Sequence, residues 1–117
     1  MKLLKTITKA CDDLKAGEIQ ILDMRDVSPL VDYMVICTGR SDRQVNAIVD
    51  KVKEEVVKNN SNVRHIEGLA AGLWVLIDCY DVLCHVFQSD ERIKYSIEKI
   101  WGEVPRISCS ELLNNGV

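Results

Sequence analysis

Four aspartates lie beside apolar runs in this 117-residue chain, where the catalytic carboxylates of sheet-based enzymes commonly sit. They are Asp23, Asp32, Asp78 and Asp81. Metal-assisted nucleotidyl transfer requires carboxylates that converge on one point, such as an Asp-x-Asp pair on one strand with a third acid nearby. Asp78 and Asp81 are instead three positions apart and straddle a polar break. These acids therefore carry no specific catalytic signature.

The cysteines and histidines show no metal-binding or nucleophile pattern. The five cysteines are scattered and form no Cys-x-x-Cys pair: Cys11, Cys37, Cys79, Cys84 and Cys109. Cys84 and His85 are adjacent in an apolar run, so on a strand they would point to opposite faces and could not share a metal ion. We expect small buried thiols in a reducing compartment, a satisfied core imidazole at His85, and neither a metal nor a cofactor.

A glycine and a serine connect the second predicted strand to a helix, and helix N-termini attract anions. Residues 38–44, TGRSDRQ, match neither a Gly-x-Gly-x-x-Gly motif nor a phosphate-binding P-loop. Ser41 is followed three positions later by Gln44, which is a capping-box pattern. We therefore expect a tight strand-to-helix connection there rather than a nucleotide site.

The composition is that of one globular domain with a weakly acidic charge. Hydrophobic residues make up 47% of the chain, charged residues 28%, and the formal net charge is −3. A negative chain has no overall attraction for phosphate, so we expect little direct nucleic-acid binding and a basic protein as the better partner. No apolar run reaches the roughly 20 residues of a transmembrane helix. The N-terminal segment carries acids by Asp12, unlike a signal peptide, and a cytoplasmic location is expected.

The stretch from Trp74 to Gln88 is typical of a β-hairpin. Two apolar runs, rich in β-branched or aromatic residues, flank the polar break Asp78-Cys79-Tyr80-Asp81. The second run, Val82 to Phe87, is almost wholly apolar, which predicts a central strand covered on both faces.

The remaining pattern predicts an α/β domain with a single mixed sheet of about five strands and helices packed on it. The expected order of elements is α-β-β-α-β-β-β-α. Further strands are expected over residues 18–24, 33–38 and 63–67, the last at an edge, and helices over residues 3–16 and 41–58. A last helix begins at Ser89, with a buried stripe of Ile93, Ile97, Ile100 and Trp101. We assign residues 1–105 to a single domain and residues 106–117 to a C-terminal tail.

Four blocks of the sequence together form a specific pattern, although no single block is decisive. They are DYMVICTGRSDRQVNAIVD (residues 32–50), Glu67-Gly68, WVLIDCYDVLCHVF (residues 74–87) and YSIEKIWG (residues 95–102). Their order and spacing resemble the ribosomal silencing factors, also called the Iojap family, over residues 3–102. The resemblance implies a nucleotidyltransferase-like α/β fold without the transferase's catalytic carboxylates, and a role that is not enzymatic.

The resemblance also implies a partner and a mechanism. Such factors bind the large ribosomal subunit through ribosomal protein fourteen, a basic protein on the intersubunit face. Bound there, they sterically block joining of the small subunit and so repress translation; off the ribosome they are often homodimers. A nucleotidyltransferase-like enzyme and a generic dimerisation module are the alternatives. A melting temperature raised by nucleotide and magnesium would favour the enzyme. An apolar face fully occupied by a second copy of the chain would favour the dimerisation module.

The expected partner-binding residues lie on the hairpin: Trp74, Leu76, Asp78, Tyr80 and Asp81. Side chains alternate along a strand, so Trp74, Leu76 and Asp78 share one face, while Val75 and Ile77 point into the core. Trp74 and Leu76 would form an apolar centre, with the aspartates as an acidic rim.

The family's Trp-x-x-x-Asp-x-x-Asp segment matches Trp74, Asp78 and Asp81. The turn departs from the Asp-x-Gly-Asp common in the family, because Tyr80 stands where that pattern has glycine. Glycine accepts a positive φ far more readily than tyrosine, which leaves the turn type and the projection of Tyr80 open. For Trp74 the alternative interpretation is that it is a core residue, covered by a helix, and not part of a docking surface.

Overall fold

The structure, a computed structural model, describes residues 2–95, 99 and 102–114. Its elements in chain order are α1 (Lys2–Asp13), β1 (Gly17–Asp23), β2 (Tyr33–Gly39), α2 (Asp42–Lys58), β3 (His65–Glu67), β4 (Trp74–Asp78), β5 (Val82–Gln88), α3 (Ser89–Tyr95), β6 (Arg106–Ile107) and α4 (Cys109–Asn114). From α1 to α3 this is the predicted order α-β-β-α-β-β-β-α.

The described strands form one mixed sheet in the order β3-β4-β5-β2-β1-β6. β2 and β5 are parallel, and the other neighbours are antiparallel. The predicted α/β class with a single mixed sheet is confirmed, as is the edge position of β3. The sheet has six strands because Arg106–Ile107 pairs with Ile21 and Leu22 of β1. The likeness to nucleotidyltransferases stays a prediction.

The segment expected as a tail carries β6 and α4, and α4 packs on α1. Leu112 of α4 is buried in the same cluster as the helix-facing side chains of the sheet. Sequence patterning did not indicate these elements, because a strand of two residues is too short to show a period.

The two parallel strands are the most buried part of the sheet. Every residue of β2 is buried, and in β5 only Leu83 and Gln88 keep partial exposure. A strand covered on both faces needs apolar side chains at nearly every position, which explains why both segments are continuous apolar runs. The prediction that residues 82–87 form a central strand is confirmed.

The helices α1 and α2 cover one face of the sheet. Each has buried side chains that recur three or four positions apart, as an amphipathic helix requires. In α2 they are Val45, Ile48, Val49, Val52 and Val56. They join the side chains that β2, β4 and β5 direct toward the helices in one continuous core cluster.

The cap predicted for α2 is confirmed. The hydroxyl of Ser41 accepts a hydrogen bond from the backbone N–H of Gln44 at 3.2 Å. The Gln44 side chain in turn accepts a bond from the N–H of Arg40 at 2.7 Å, one residue earlier than the capping-box pattern predicts. Its amide also donates to the carbonyl oxygens of Leu14 and Lys15, so this side chain ties the connection to the segment that follows α1.

The helix α3 begins at Ser89, as predicted, and is held against the sheet by polar contacts. The hydroxyl of Ser89 donates to the carbonyl oxygen of Gly39. Arg92 is almost fully buried, and its guanidinium donates to the carbonyl oxygen of Glu18. Nε of Arg92 is also 3.8 Å from the carboxylate of Glu18. The stripe predicted for this helix lies outside the described side chains: Ile93, Ile97, Ile100 and Trp101. None of the described helices is both long and apolar enough to cross a membrane.

Two valines of α2 that differ in burial test the assignment of its faces. Val49 is fully buried, whereas Val57 is 64% exposed. We expect Val49→Ala to lower the free energy of unfolding by about 2 kcal/mol, because it removes buried methyl groups and leaves a cavity. Val57→Ala makes the same change at the surface and should shift stability by no more than about 0.5 kcal/mol. Urea unfolding followed by circular dichroism measures both, and equal effects would contradict the assigned faces.

Candidate functional site

The four aspartates identified in the sequence gather at one end of the sheet. β1 ends at Asp23 and β4 at Asp78, while Asp32 and Asp81 directly precede β2 and β5. Because β2 and β5 are parallel, their starting ends lie side by side, and the N–H of Asp32 donates to the carbonyl oxygen of Asp81 at 2.8 Å. Ligand crevices of α/β sheets form at the carboxyl ends of parallel strands, and this is the opposite end.

Two of these carboxylates are engaged in local contacts. Asp23 forms an ion pair with Arg25 at 2.7 Å, and hydrogen bonds from Arg25 hold the pKa of Asp23 below its usual value. Asp78 accepts a hydrogen bond from the backbone N–H of Tyr80 at 2.9 Å and lies 4.0 Å from Nε of Arg64. Both acids thus stabilise the turns in which they lie.

The other two carboxylates face solvent. Asp32 and Asp81 are exposed, and within the described part of the chain neither forms an ion pair. Among the described residues, no group of three or more histidine, cysteine, aspartate or glutamate side chains could hold a metal ion. What this end of the sheet offers is therefore negative charge available to a cationic partner.

The cysteines are mainly core residues, as predicted. Four are buried and Cys109 is half-buried. The sulfur atoms of Cys11 and Cys37 are 3.8 Å apart in the helix-facing core. Burial raises the pKa of Cys79 to about 11, which keeps its thiol protonated at neutral pH. Cys84 also faces the helices, whereas its neighbour His85 lies on the other face, so the prediction that they point apart is confirmed.

The strand β4 divides its side chains between the two faces. Val75 and Ile77 are fully buried against the helices, whereas Trp74, Leu76 and Asp78 are half-buried on the opposite face. This is the division predicted from strand alternation. We refer to the face of Trp74, Leu76 and Asp78, together with Tyr80 and Asp81 in the turn, as the docking face. That it docks a partner stays a prediction.

Two contacts orient the indole of Trp74. Its Nε1–H donates to Nδ1 of His85 at 3.0 Å, and its ring stacks on Phe87 with 4.9 Å between ring centroids. Both partners belong to the central strand β5, so the indole is held in one orientation while it remains partly accessible. An aromatic side chain held in this way is suited to a protein interface, because little rotamer freedom remains to be lost on binding.

His85 is buried and neutral. It is 6% exposed, and burial lowers its pKa to about 4. Because Nδ1 accepts the bond from Trp74, the ring proton is on Nε2, which has no hydrogen-bond partner within the described residues. His85 is therefore the core imidazole that was predicted, although only one of its nitrogens is satisfied there.

The hairpin turn accommodates Tyr80 in a left-handed conformation, with a φ of 69°. The carboxylate of Asp78 accepts the N–H of Tyr80, and the N–H of Cys79 donates to the carbonyl oxygen of Val82 at 3.0 Å. The ring is 51% exposed, and the Arg64 guanidinium lies 5.7 Å from its centroid. The tyrosine thus adopts the backbone geometry that favours glycine, and its side chain projects beside Arg64.

Strand register adds residues to this face that sequence reasoning missed. His65 and Glu67 of β3 lie opposite Asp78 and Leu76, and Nε2 of His65 is 3.0 Å from a carboxylate oxygen of Glu67. On the other side of β4, Leu83 of β5 pairs with Asp78. Alternation within each strand is visible in the sequence, but which residues of different strands become neighbours depends on register.

Comparison with known proteins agrees with the resemblance. The family model described as "Ribosomal silencing factor during starvation" matches residues 1–116. The chain belongs to the ribosomal silencing factor family. It is 45% identical to the ribosomal silencing factor of Bacillus subtilis, with 88% of this chain and 87% of that protein covered. It is 36% identical to the factor of Halalkalibacterium halodurans, with 97% of both covered.

A solved structure supports the fold as well as the family. A crystal structure of a protein from Chromobacterium violaceum is 34% identical to this chain and superimposes with a TM-score of 0.84. The match covers 86% of this chain and 84% of that one. Membership in the ribosomal silencing factors places the chain among regulators of translation that associate with the ribosome.

The buried imidazole predicts a stability change at mildly acidic pH. An unfolded histidine titrates near pH 6.5, whereas the pKa of native His85 is about 4. Between these values the unfolded chain binds a proton that the native chain does not. The contribution of His85 is therefore complete above about pH 6.5, and the free energy of unfolding should fall by about 1.4 kcal/mol per pH unit as the pH decreases toward 5.

The control is the second histidine. His85→Gln keeps an acceptor for the Trp74 indole but removes the titration, so the slope between pH 6.5 and 5 should largely disappear. His65→Gln removes an exposed imidazole and should retain the slope. Urea unfolding at several pH values measures both. A slope that persists in His85→Gln would show that another group causes it.

Proposed function

We propose that this protein binds the large ribosomal subunit through ribosomal protein fourteen on the intersubunit face, blocks joining of the small subunit, and thereby represses translation. Family membership supports the silencing of ribosomes, and the proposal adds the partner and the mechanism. The observation that carries it is the docking face. There the Trp74 indole is oriented by His85 and Phe87, on a strand that ends in an acidic turn.

Charge supports a basic partner. The chain has a formal net charge of −3. Exposed Asp32 and Asp81 lie at the same end of the sheet as Asp78, and Glu67 lies beside Leu76 on the docking face. Complementary charge accelerates association and disfavours partners of the wrong sign. A basic ribosomal protein fits this surface better than the RNA phosphates around it.

The apolar centre supports an interface with a concentrated energetic core. Trp74 and Leu76 are half-buried neighbours on the docking face. Tryptophan is among the residues that contribute most to protein interfaces when a rim of polar groups excludes water around it. The hydrogen bond to His85 and the stack on Phe87 place the indole before the partner arrives. Such pre-organisation reduces the entropy lost on binding.

Steric exclusion is sufficient for silencing and requires no reaction. A standard interface would cover about 800 Å² of one partner, out of a total surface of 6857 Å² for this chain. Most of the molecule, whose shortest extent is 26 Å, would then project from the subunit. A body of that thickness cannot fit between two surfaces that must come into contact. Inhibition should therefore be stoichiometric and should last as long as the factor stays bound.

The oligomeric state and the cellular location of the free protein follow from the same surface and target. Off the ribosome we propose a homodimer, and since its target is the ribosome we propose a cytoplasmic location. Apolar side chains on the docking face could be covered by a second copy when the ribosomal partner is absent. Dimer and ribosome would then compete for one surface.

Truncation of the indole tests the docking face. We expect Trp74→Ala to weaken binding to purified large subunits by about 30- to 1000-fold, which corresponds to about 2–4 kcal/mol. Trp74→Phe keeps a ring that can stack on Phe87 but loses the bond to His85, so its affinity should be intermediate. Co-sedimentation at a series of concentrations measures affinity, and circular dichroism establishes that each variant is folded.

Addition of small subunits to the same mixtures tests the mechanism. The parent protein should prevent joining when it is equimolar with large subunits, and Trp74→Ala should require a large excess. A folded Trp74→Ala protein that binds undiminished would remove the docking face from the proposal. Binding by the parent without any effect on joining would leave the partner but contradict steric exclusion.

A charge reversal tests the acidic rim. We expect Asp81→Lys to weaken binding strongly at about 50 mM salt and much less at about 500 mM, since salt screens exposed charges. Asp50→Lys makes the same change on the exposed side of α2 and should have little effect at either concentration. Equal losses for the two variants would show that only the net charge of the chain matters.

A further inference from the structure

A groove of about 300 Å³ opens beside the hairpin turn. Its walls come from three separate segments: the loop between β1 and β2, the residue before β3, and the hairpin itself. The lining residues are Leu30, Val31, Arg64, Asp78, Tyr80 and Leu83. Asp78, Tyr80 and Leu83 lie on the docking face, and Leu30, Val31 and Arg64 extend it past the end of the sheet.

Two exposed apolar side chains contribute to the walls of the groove. Leu30 is 82% exposed and Tyr80 is 51% exposed. They come from different loops and line the same groove, with half-buried Leu83 also in its lining. Single exposed apolar residues are ordinary, but a concave group of them indicates a binding site.

Backbone contacts hold the walls in place. The hydroxyl of Ser28 accepts hydrogen bonds from the N–H groups of Leu30 and Val31 at 3.2 and 3.3 Å. The bond from the N–H of Asp32 to the carbonyl oxygen of Asp81 ties the loop to the hairpin turn. The groove is therefore formed before any ligand arrives, which favours binding.

The turn holds a tyrosine where a glycine would be less strained. Tyr80 has a φ of 69°, a conformation that side chains disfavour. The guanidinium of Arg64 lies over its ring, 5.7 Å from the centroid. Backbone strain of this kind is typical of functional positions, and here it places a half-exposed ring at the groove.

The charges around the groove favour a cation. The Asp78 carboxylate contributes to the lining, and the exposed acids Asp32 and Asp81 lie beside it. Of the nearby arginines, Arg25 is paired with Asp23, outside the groove lining, whereas Arg64 is part of the lining, lies over Tyr80 and has its Nε 4.0 Å from the Asp78 carboxylate. One lining arginine therefore stands against three acids, and the charges of Asp32 and Asp81 are not balanced by an ion pair among the described residues. An apolar groove flanked by carboxylates suits a side chain with a long aliphatic stem and a charged tip.

We propose that this groove binds one lysine or arginine side chain from the basic protein partner. The aliphatic stem packs against Leu30, Tyr80 and Leu83, and the cationic tip faces Asp32 and Asp81, the two acids that form no ion pair among the described residues. This inference rests on the proposed function and adds a specific subsite to it. It also assigns a role to Leu30, which is distant in the sequence from the hairpin.

Shape is tested by two truncations that should not damage the fold. Leu30→Ala changes an exposed side chain, and Tyr80→Gly relieves the backbone strain, so the melting temperature of neither should fall. We expect each to weaken binding to large subunits by about 5- to 20-fold, an effect smaller than that of the central tryptophan. Val57→Ala on α2 is the control and should bind as the parent does.

The charge of the occupant is tested at position 30 with two side chains of similar length and opposite sign. Leu30→Lys places a cation where the partner's cation is expected and should weaken binding much more than Leu30→Glu. The difference between these two variants should shrink at high salt. A stronger loss for Leu30→Glu than for Leu30→Lys would overturn the assignment of a cationic occupant.

The outcomes separate this inference from the proposed function. If the parent binds and Trp74→Ala does not, while Leu30→Ala and Tyr80→Gly bind as the parent does, the groove is not a subsite and the proposed function stands. If the parent does not bind large subunits, the proposed function fails and this inference fails with it. Loss of affinity in both groove variants with melting temperatures at or above that of the parent supports the subsite.

Discussion

The parallel pairing of β2 with β5 is the constraint on which the rest of the structure depends. It aligns Tyr33 with Val82 and continues in register to Gly39 and Gln88. Bringing together two segments so distant in the chain carries an entropic cost, which the burial of two continuous apolar strands offsets. The connection between them contains α2, which covers one face of the sheet. The same pairing sets the starts of both strands side by side, and the antiparallel neighbours β1 and β4 end beside them, which gathers four aspartates at one end.

The hairpin acquires its two different faces from this central pair. β4 lies next to β5, and burial of Val75 and Ile77 against the helices leaves Trp74 on the other face. His85 and Phe87 on β5 then orient the indole, so a residue of the central strand determines how a more exposed side chain is presented. Core and docking face are thus two sides of the same strands, and a change in one is expected to alter the other.

The acids illustrate how a turn and the proposed binding surface can share residues. Asp78 stabilises the unfavourable conformation of Tyr80 through a hydrogen bond to its N–H, while the same carboxylate lines the groove. Asp81 accepts hydrogen bonds from two backbone N–H groups through its carbonyl oxygen, and the residue remains exposed. Because backbone groups and the carboxylates of Asp23 and Asp78 make the local contacts, the charges of Asp32 and Asp81 are left without an ion pair among the described residues. Silencing by occupancy, as proposed above, would need an exposed charged surface of this kind and no reactive group.

The sequence by itself determined the α/β class, the order of elements through α3, the cap at Ser41 and the division of β4 between two faces. Each of these depends on local periodicity or on the chemistry of neighbouring residues, which a single sequence contains. It did not indicate β6 and α4, the left-handed Tyr80, or the approach of Leu30 to the hairpin. Only the tertiary structure decided these, because they depend on contacts and register between segments far apart in the chain, to which local patterning is blind.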